Sequence, residues 1–92
     1  MEIYSKRVWL NKNDSPSTGS VVAFHGPTVY HKKEEIVLFL EVADCHNKAR
    51  LHCAPTDTVI EFIDKMKLLR DSVNDFIIHL EQNAINIEKD KT

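Results

Sequence analysis

The strongest constraint on this chain lies in its C-terminal third. Val59, Phe62, Met66, Leu69, Val73, Phe76 and Leu80 alternate gaps of three and four residues, and Ile87 resumes the series after a polar Asn83. That period keeps one face of an α-helix apolar, whereas a strand would need a period of two. No Gly or Pro follows Pro55. Thr56 and Thr58 are both candidate caps, and Thr58-Val59-Ile60-Glu61 fits a capping box, in which hydroxyl and carboxylate satisfy orphan backbone N–H groups. The pattern predicts a helix over about residues 56–84, fraying near Asn83 to Asn86, with a polar tail over 85–92. Ile60, Ile63, Ile77 and Ala84 form a second apolar row beside the stripe. The face is therefore wider than a two-stranded seam needs.

A helix of about 27 residues is roughly 40 Å long. Strands of five or six residues cover only about 20 Å. The helix is thus expected to outrun its own sheet and to leave Phe76, Ile77 and Leu80 in need of cover, at roughly 1.5–3 kcal/mol for each side chain. The same helix of a second chain, related by a two-fold axis, supplies that cover. Met66, Leu69, Val73, Phe76 and Leu80 are the expected homodimer interface.

Before Pro55 the period is that of strands. Residues 1–10 alternate β-branched and aromatic residues and read as a short strand. Asn11 to Gly19 is a loop, rich in residues that compete with backbone hydrogen bonds. Ser20 to Phe24 is a strand, ended by a turn at Gly26-Pro27, after which Thr28, Val29 and Tyr30 extend or restart it. His31 to Glu35 reads as a polar connection. Glu35 to Asp44 is the strongest strand, apolar on both parities at its start and so central in the sheet. A turn at Asn47-Lys48-Ala49 then returns the chain through a short strand, Arg50 to Cys53. The expected fold class is α+β: a three- or four-stranded antiparallel β-meander followed by one long C-terminal α-helix. Ninety-two residues leave room for one domain only, with the sheet over about residues 1–54.

Several function classes lose ground on composition. The longest apolar run, Ile36 to Leu40, is five residues, far short of a membrane span. The N-terminus has no basic segment followed by an apolar one, and with only two cysteines the expected setting is a reducing cytoplasm. Asp44-Cys45-His46 and His52-Cys53 suggest a zinc site at first. Neighbouring strand residues point to opposite faces, however, and the spacing is not that of a zinc knuckle, so no metal and no cofactor are expected. With two glycines and no glycine loop leading into a helix, phosphate cradles are not expected, nor is a catalytic triad, and the chain does not read as an enzyme.

Net charge is −2, divided unevenly. Residues 1–53 hold seven basic and six acidic side chains plus four histidines, and residues 54–92 five basic and eight acidic. The expected partner-binding face is the open side of the sheet, with Arg7, Trp9, Tyr30, Lys48, Arg50 and His52, because Trp, Tyr and Arg dominate interface energetics. The same residues suit a groove for single-stranded nucleic acid with stacking aromatics. The order of four strands and then a dimerising helix is similar in topology to the single-strand-binding domain of the PC4-type transcription coactivators.

Ser17-Thr18-Gly19-Ser20-Val21-Val22-Ala23-Phe24, and Asp44-Cys45-His46 through Arg50-Leu51-His52, resemble small accessory proteins of bacteriophages and related mobile elements. That resemblance implies a non-catalytic binder in the cytoplasm of a bacterial host, a class that includes inhibitors of host enzymes and of immune systems such as CRISPR. It carries over no functional residue. A homodimeric protein-binding module is therefore the leading expectation and a dimeric nucleic-acid binder the alternative.

Overall fold

A computed structural model describes residues 4–30 and 33–91, without the side chains of residues 28–30, 33 and 34. The expected strand start at residues 1–3, His31 and Lys32 of the polar connection, and Thr92 lie outside the described residues. Four strands and one helix follow in order: β1 Tyr4–Trp9, β2 Ser20–Tyr30, β3 Lys33–Asp44, β4 Asn47–His52 and α1 Val59–Asp90. The strands form one antiparallel sheet in the order β1-β2-β3-β4, so the fold is an α+β meander followed by a helix. No described helix is long and apolar enough to cross a membrane. By its contacts the chain divides at Asp57 into two compact units, the sheet and the helix.

Within the sheet unit, β3 is interior, flanked by β2 and β4, which fits its apolar residues on both parities. Register places Val8, Val21, Val42 and Ala49 in one row across the sheet, and Lys6, Ala23, Leu40 and Leu51 in the next. These rows make one face mostly apolar. A single layer cannot enclose a core, and no apolar side chain among the described residues is buried.

Two turns differ from expectation. Gly26-Pro27 does not end β2 but pairs within it, opposite Val37 and Ile36. The described ladder with β1 runs from Trp9↔Ser20 to Tyr4↔His25. The second hairpin turns at Cys45-His46 rather than at Asn47-Lys48-Ala49, since Asp44 pairs directly with Asn47. Cys45 has φ 54. Two-residue hairpins need a positive φ to match the right-handed strand twist, and glycine usually supplies it. Here a cysteine does, at a cost that left-handed backbone imposes on any side chain. Cys45→Gly is expected to stabilise the sheet by about 0.5–1 kcal/mol, the strain relieved less the extra freedom glycine gains on unfolding. Thermal melts of the two proteins check this, and an unchanged or lower Tm would contradict it.

The β1–β2 loop is closed by Leu10 N–H donating to the Gly19 carbonyl at 2.8 Å and by Gly19 N–H donating to Asn11 Oδ1 at 2.6 Å. A Cβ on residue 19 would meet that same Oδ1 at 2.8 Å and the Leu10 Cβ at 3.3 Å, so a larger residue there would displace the Asn11 side chain from its hydrogen bond.

The helix unit begins as its sequence directs. Thr58 Oγ1 accepts from Glu61 N–H at 3.1 Å, and Glu61 Oε1 accepts from Thr58 N–H at 3.2 Å, completing the capping box. The helix starts at Val59 rather than 56 because residues 54–57 form a turn, with Asp57 N–H on the Ala54 carbonyl and Ala54 N–H on Asp57 Oδ2. It also continues past the expected end at 84, to Asp90. Asn83 does not fray it: its side-chain Nδ2 donates to the His79 carbonyl at 2.8 Å, absorbing the competing group within the helix. The expected polar tail is helical up to Lys91, whose N–H caps on the Ile87 carbonyl.

Candidate functional site

The register that sets the apolar face also fixes what lies on the other. Trp9, Ser20, Ala43 and Lys48 share one row, Arg7, Val22, Glu41 and Arg50 the next, and Ser5, Phe24, Phe39 and His52 the third. Side chains two apart in a strand point the same way, so these three rows occupy one face. Five of the six residues expected to bind a partner, Arg7, Trp9, Lys48, Arg50 and His52, are thereby brought together from the two edge strands. Tyr30 is not among them. It lies at the last register position of β2, opposite Lys33, six residues beyond Phe24 along the strand, and its side chain lies outside the described atoms.

Three residues at the centre of this face were missed from the sequence: Phe24, Phe39 and Glu41. The Phe24 and Phe39 rings stack with centroids 5.2 Å apart and planes at 22°. Such pairs contribute about 0.5–1.5 kcal/mol beyond their burial. Arg50 lies across the Phe39 ring, its Cζ 4.0 Å from the centroid. The same guanidinium donates to Glu41 Oε2 from Nη2 at 2.7 Å and from Nε at 3.1 Å. Lys48 Nζ approaches Glu41 Oε1 at 4.0 Å. Arg7 lies 5.4 Å from the Trp9 ring, and Trp9 is 62% exposed. The signal for the three missed residues is their pairing across strands: Phe24 with Phe39 in the β2–β3 ladder, and Glu41 with Arg50 once the β3–β4 turn is placed at Cys45-His46.

Electrostatics give this face a mixed character. Arg50's hydrogen bond is the main cause that holds the Glu41 carboxyl below the ordinary carboxylate range. Partial desolvation pushes the other way, and the charges of Arg50, Lys48 and Arg7 add to the lowering. A depressed folded-state pKa contributes stability that is present above the unfolded value and lost as pH falls through the folded one. The difference in Tm between the parent and Glu41→Gln is therefore expected to shrink as pH falls below about 4.5. A difference that stays constant to pH 3 would contradict the assignment.

Beside Trp9 the β1–β2 loop forms an open cleft lined by Asn11, Lys12, Asn13, Ser15, Ser17 and Thr18. Of the four residues that suggest zinc in the sequence, Cys45 and His46 are the central residues of an exposed turn, His52 ends β4 and Cys53 follows it, and neither Cys45 nor Cys53 is in a disulfide. Among the described residues no group of three His, Cys, Asp or Glu is placed to hold a metal ion.

On the helix, the expected interface residues fall in two groups. Met66 and Leu69 are half-buried, whereas Val73, Phe76 and Leu80 are exposed, Phe76 by 60%. Ile77 is exposed beside them.

Set against protein-family models, curated proteins and solved structures, the chain matches none.

Proposed function

We propose that the protein is a non-enzymatic, homodimeric protein-binding module that acts in the cytoplasm by occupying the surface of a partner protein. The observation that carries this reading is the sheet face on which Arg50 spans Phe39 and Glu41, flanked by Arg7, Trp9, Lys48 and His52. Aromatic and arginine side chains held in place by their neighbours are the anchors of protein interfaces, because they bury much area for little lost freedom. The face is open and mixed in charge, as suits an inhibitor that blocks a surface, including the phage-type inhibitors of host or CRISPR proteins.

The second reading is a dimeric binder of single-stranded nucleic acid, favoured by the same pairing of arginines with exposed aromatics. Glu41 argues against it. A carboxylate at the centre of the face repels phosphates and already engages Arg50 and Lys48.

The two readings separate in one pair of measurements. Tagged parent protein and a Trp9→Ala, Arg50→Ala double variant are used to retrieve proteins from a bacterial lysate, with identification by mass spectrometry. A protein retained by the parent and lost by the variant is the expected result. In parallel, anisotropy of a labelled 20-nucleotide single strand is followed at about 50 mM salt, where phosphate contacts are strong. Binding of the strand there, together with no variant-sensitive protein, would replace the first reading by the second.

A further inference from the structure

We infer that the partner protein meets the sheet face of Arg7, Trp9, Lys48 and Arg50 with an acidic surface, setting separate carboxylates against Arg7 on β1 and against Lys48 and Arg50 on β4. The inference rests on the protein-binding reading and names the chemistry of its partner.

Strand register fixes the charges of this face within the sheet unit itself. The three rows that join all four strands on this side hold Arg7, Lys48 and Arg50 and one carboxylate, Glu41. With His52 neutral, three positive groups and one negative leave the face at +2, whereas the whole chain stands at −2. Glu41 is engaged from within. Arg50 gives it two hydrogen bonds, both to Oε2, and Lys48 approaches Oε1 at 4.0 Å. An arginine has five N–H donors and two are used here, so three remain for another acceptor. Arg7 lies over the Trp9 ring and forms no ion pair with a described carboxylate.

An occupant that covered this face without charge of its own would strand cations away from water. That is strongly unfavourable unless each gains a counter-charge. The seated surface therefore brings carboxylates.

Their placement separates a protein from a nucleic acid. β1 and β4 are three strand spacings apart, about 14 Å. A protein surface can set one acid at each side and an uncharged group or an N–H donor over Val22 and Glu41, which lie between. A nucleic-acid strand carries a phosphate at every nucleotide, so a strand laid from Arg7 to Arg50 brings phosphate to Glu41 as well. Complementarity of this kind acts chiefly on the rate of encounter and the choice of partner.

Stopped-flow association tests this on the full chain. The probe is the protein that the parent retrieves from a bacterial lysate and the Trp9→Ala, Arg50→Ala variant loses, in purified form. The parent's association rate is expected to fall about tenfold or more between about 50 and about 500 mM salt. Arg7→Glu, Lys48→Glu reverses the charge on both edge strands. Its rate should start about tenfold or more below the parent's at low salt and rise as salt screens the repulsion. Lys67→Glu, Arg70→Glu makes the same change of net charge on α1 and should stay within about twofold of the parent. Circular dichroism verifies that each variant is folded, and the salt dependence of the parent decides the matter without any variant. A parent rate that ignores salt or rises with it, or an equal loss in both variants, would overturn the acidic surface while protein binding stands. Retrieval of no such protein would overturn both. So would tighter binding of the labelled 20-nucleotide strand than of the purified protein, the anion then being phosphate.

Discussion

In the proposed homodimer, Phe76→Asp is expected to separate the two chains. Light scattering at micromolar concentration should give about twice the 10.6 kDa chain mass for the parent and the single-chain mass for the variant. Phe76 is 60% exposed and stands in the middle of the apolar stripe of α1. Covering a Phe side chain contributes roughly 1.5–3 kcal/mol, and the two-fold axis counts it twice. Loss of both rings alone weakens the dimer by a factor of about 10² to 10⁴. The introduced carboxylates raise that further, because each would have to be desolvated without a partner. Asp75→Ala, on the opposite face of the same helix, is the control and should leave the mass at two chains. Asn83→Leu should act in the other direction by filling the one gap in the stripe, lowering the dissociation constant. A parent protein that scatters as a monomer at micromolar concentration would sink the dimer, whatever the variants do.

Those expectations show how unevenly the structure can be read from residues. The helix was legible because its signals are local and agree: one stripe of period 3.6, a capping box four residues long, and no breaker. Its end was not, because Asn83 and Asn86 compete for backbone groups in some settings and are absorbed in others. Whether Asn83 bonds to the His79 carbonyl is a matter of side-chain geometry that composition does not carry. The strands were found, but not where they turn. Gly26-Pro27 signals a break in most contexts, yet β2 continues through it, paired with Val37 and Ile36 of β3. At the second hairpin, Asn47 carries the stronger turn propensity, and the chain nevertheless turns at Cys45-His46, where strand pairing from Phe39↔His52 to Asp44↔Asn47 outweighs one strained φ.

That single register decides how much of the candidate face can be foreseen. Arg7 and Trp9 share a parity within β1, and Lys48, Arg50 and His52 share one within β4, so each edge set was visible from its own strand. Bringing the two sets onto the same face, with Phe24, Phe39 and Glu41 between them, needs the turn to hold two residues rather than three. A one-residue slip would send Lys48, Arg50 and His52 to the apolar side. The residues at the centre were therefore out of reach of sequence reasoning, although each is an ordinary strand residue in its own segment.

On that face, Arg50→Ala and Trp9→Ala are each expected to weaken binding of the protein partner by about 2 kcal/mol, roughly 30-fold. The two act for different reasons. Trp9 offers a large, exposed, rigid surface at the edge, and its loss removes contact area. Arg50 organises the centre: it covers the Phe39 ring and donates two hydrogen bonds to one Glu41 oxygen. Without it the Glu41 carboxylate loses the hydrogen bonds that orient it, so part of the effect falls on a residue that is still present. Arg50→Lys should therefore fail to restore binding, since an ammonium cannot lie flat on a ring and give the same paired hydrogen bonds. Arg70→Ala, on the helix and paired with Asp71, is the matched control for charge and should bind as the parent does. Titration calorimetry against the partner retrieved by the parent protein measures all four. Affinities within twofold of the parent for both Arg50→Ala and Trp9→Ala would remove this face from the interface. A loss confined to Arg50→Ala would place the contact on β3 and β4, and a loss in both extends it across all four strands to β1.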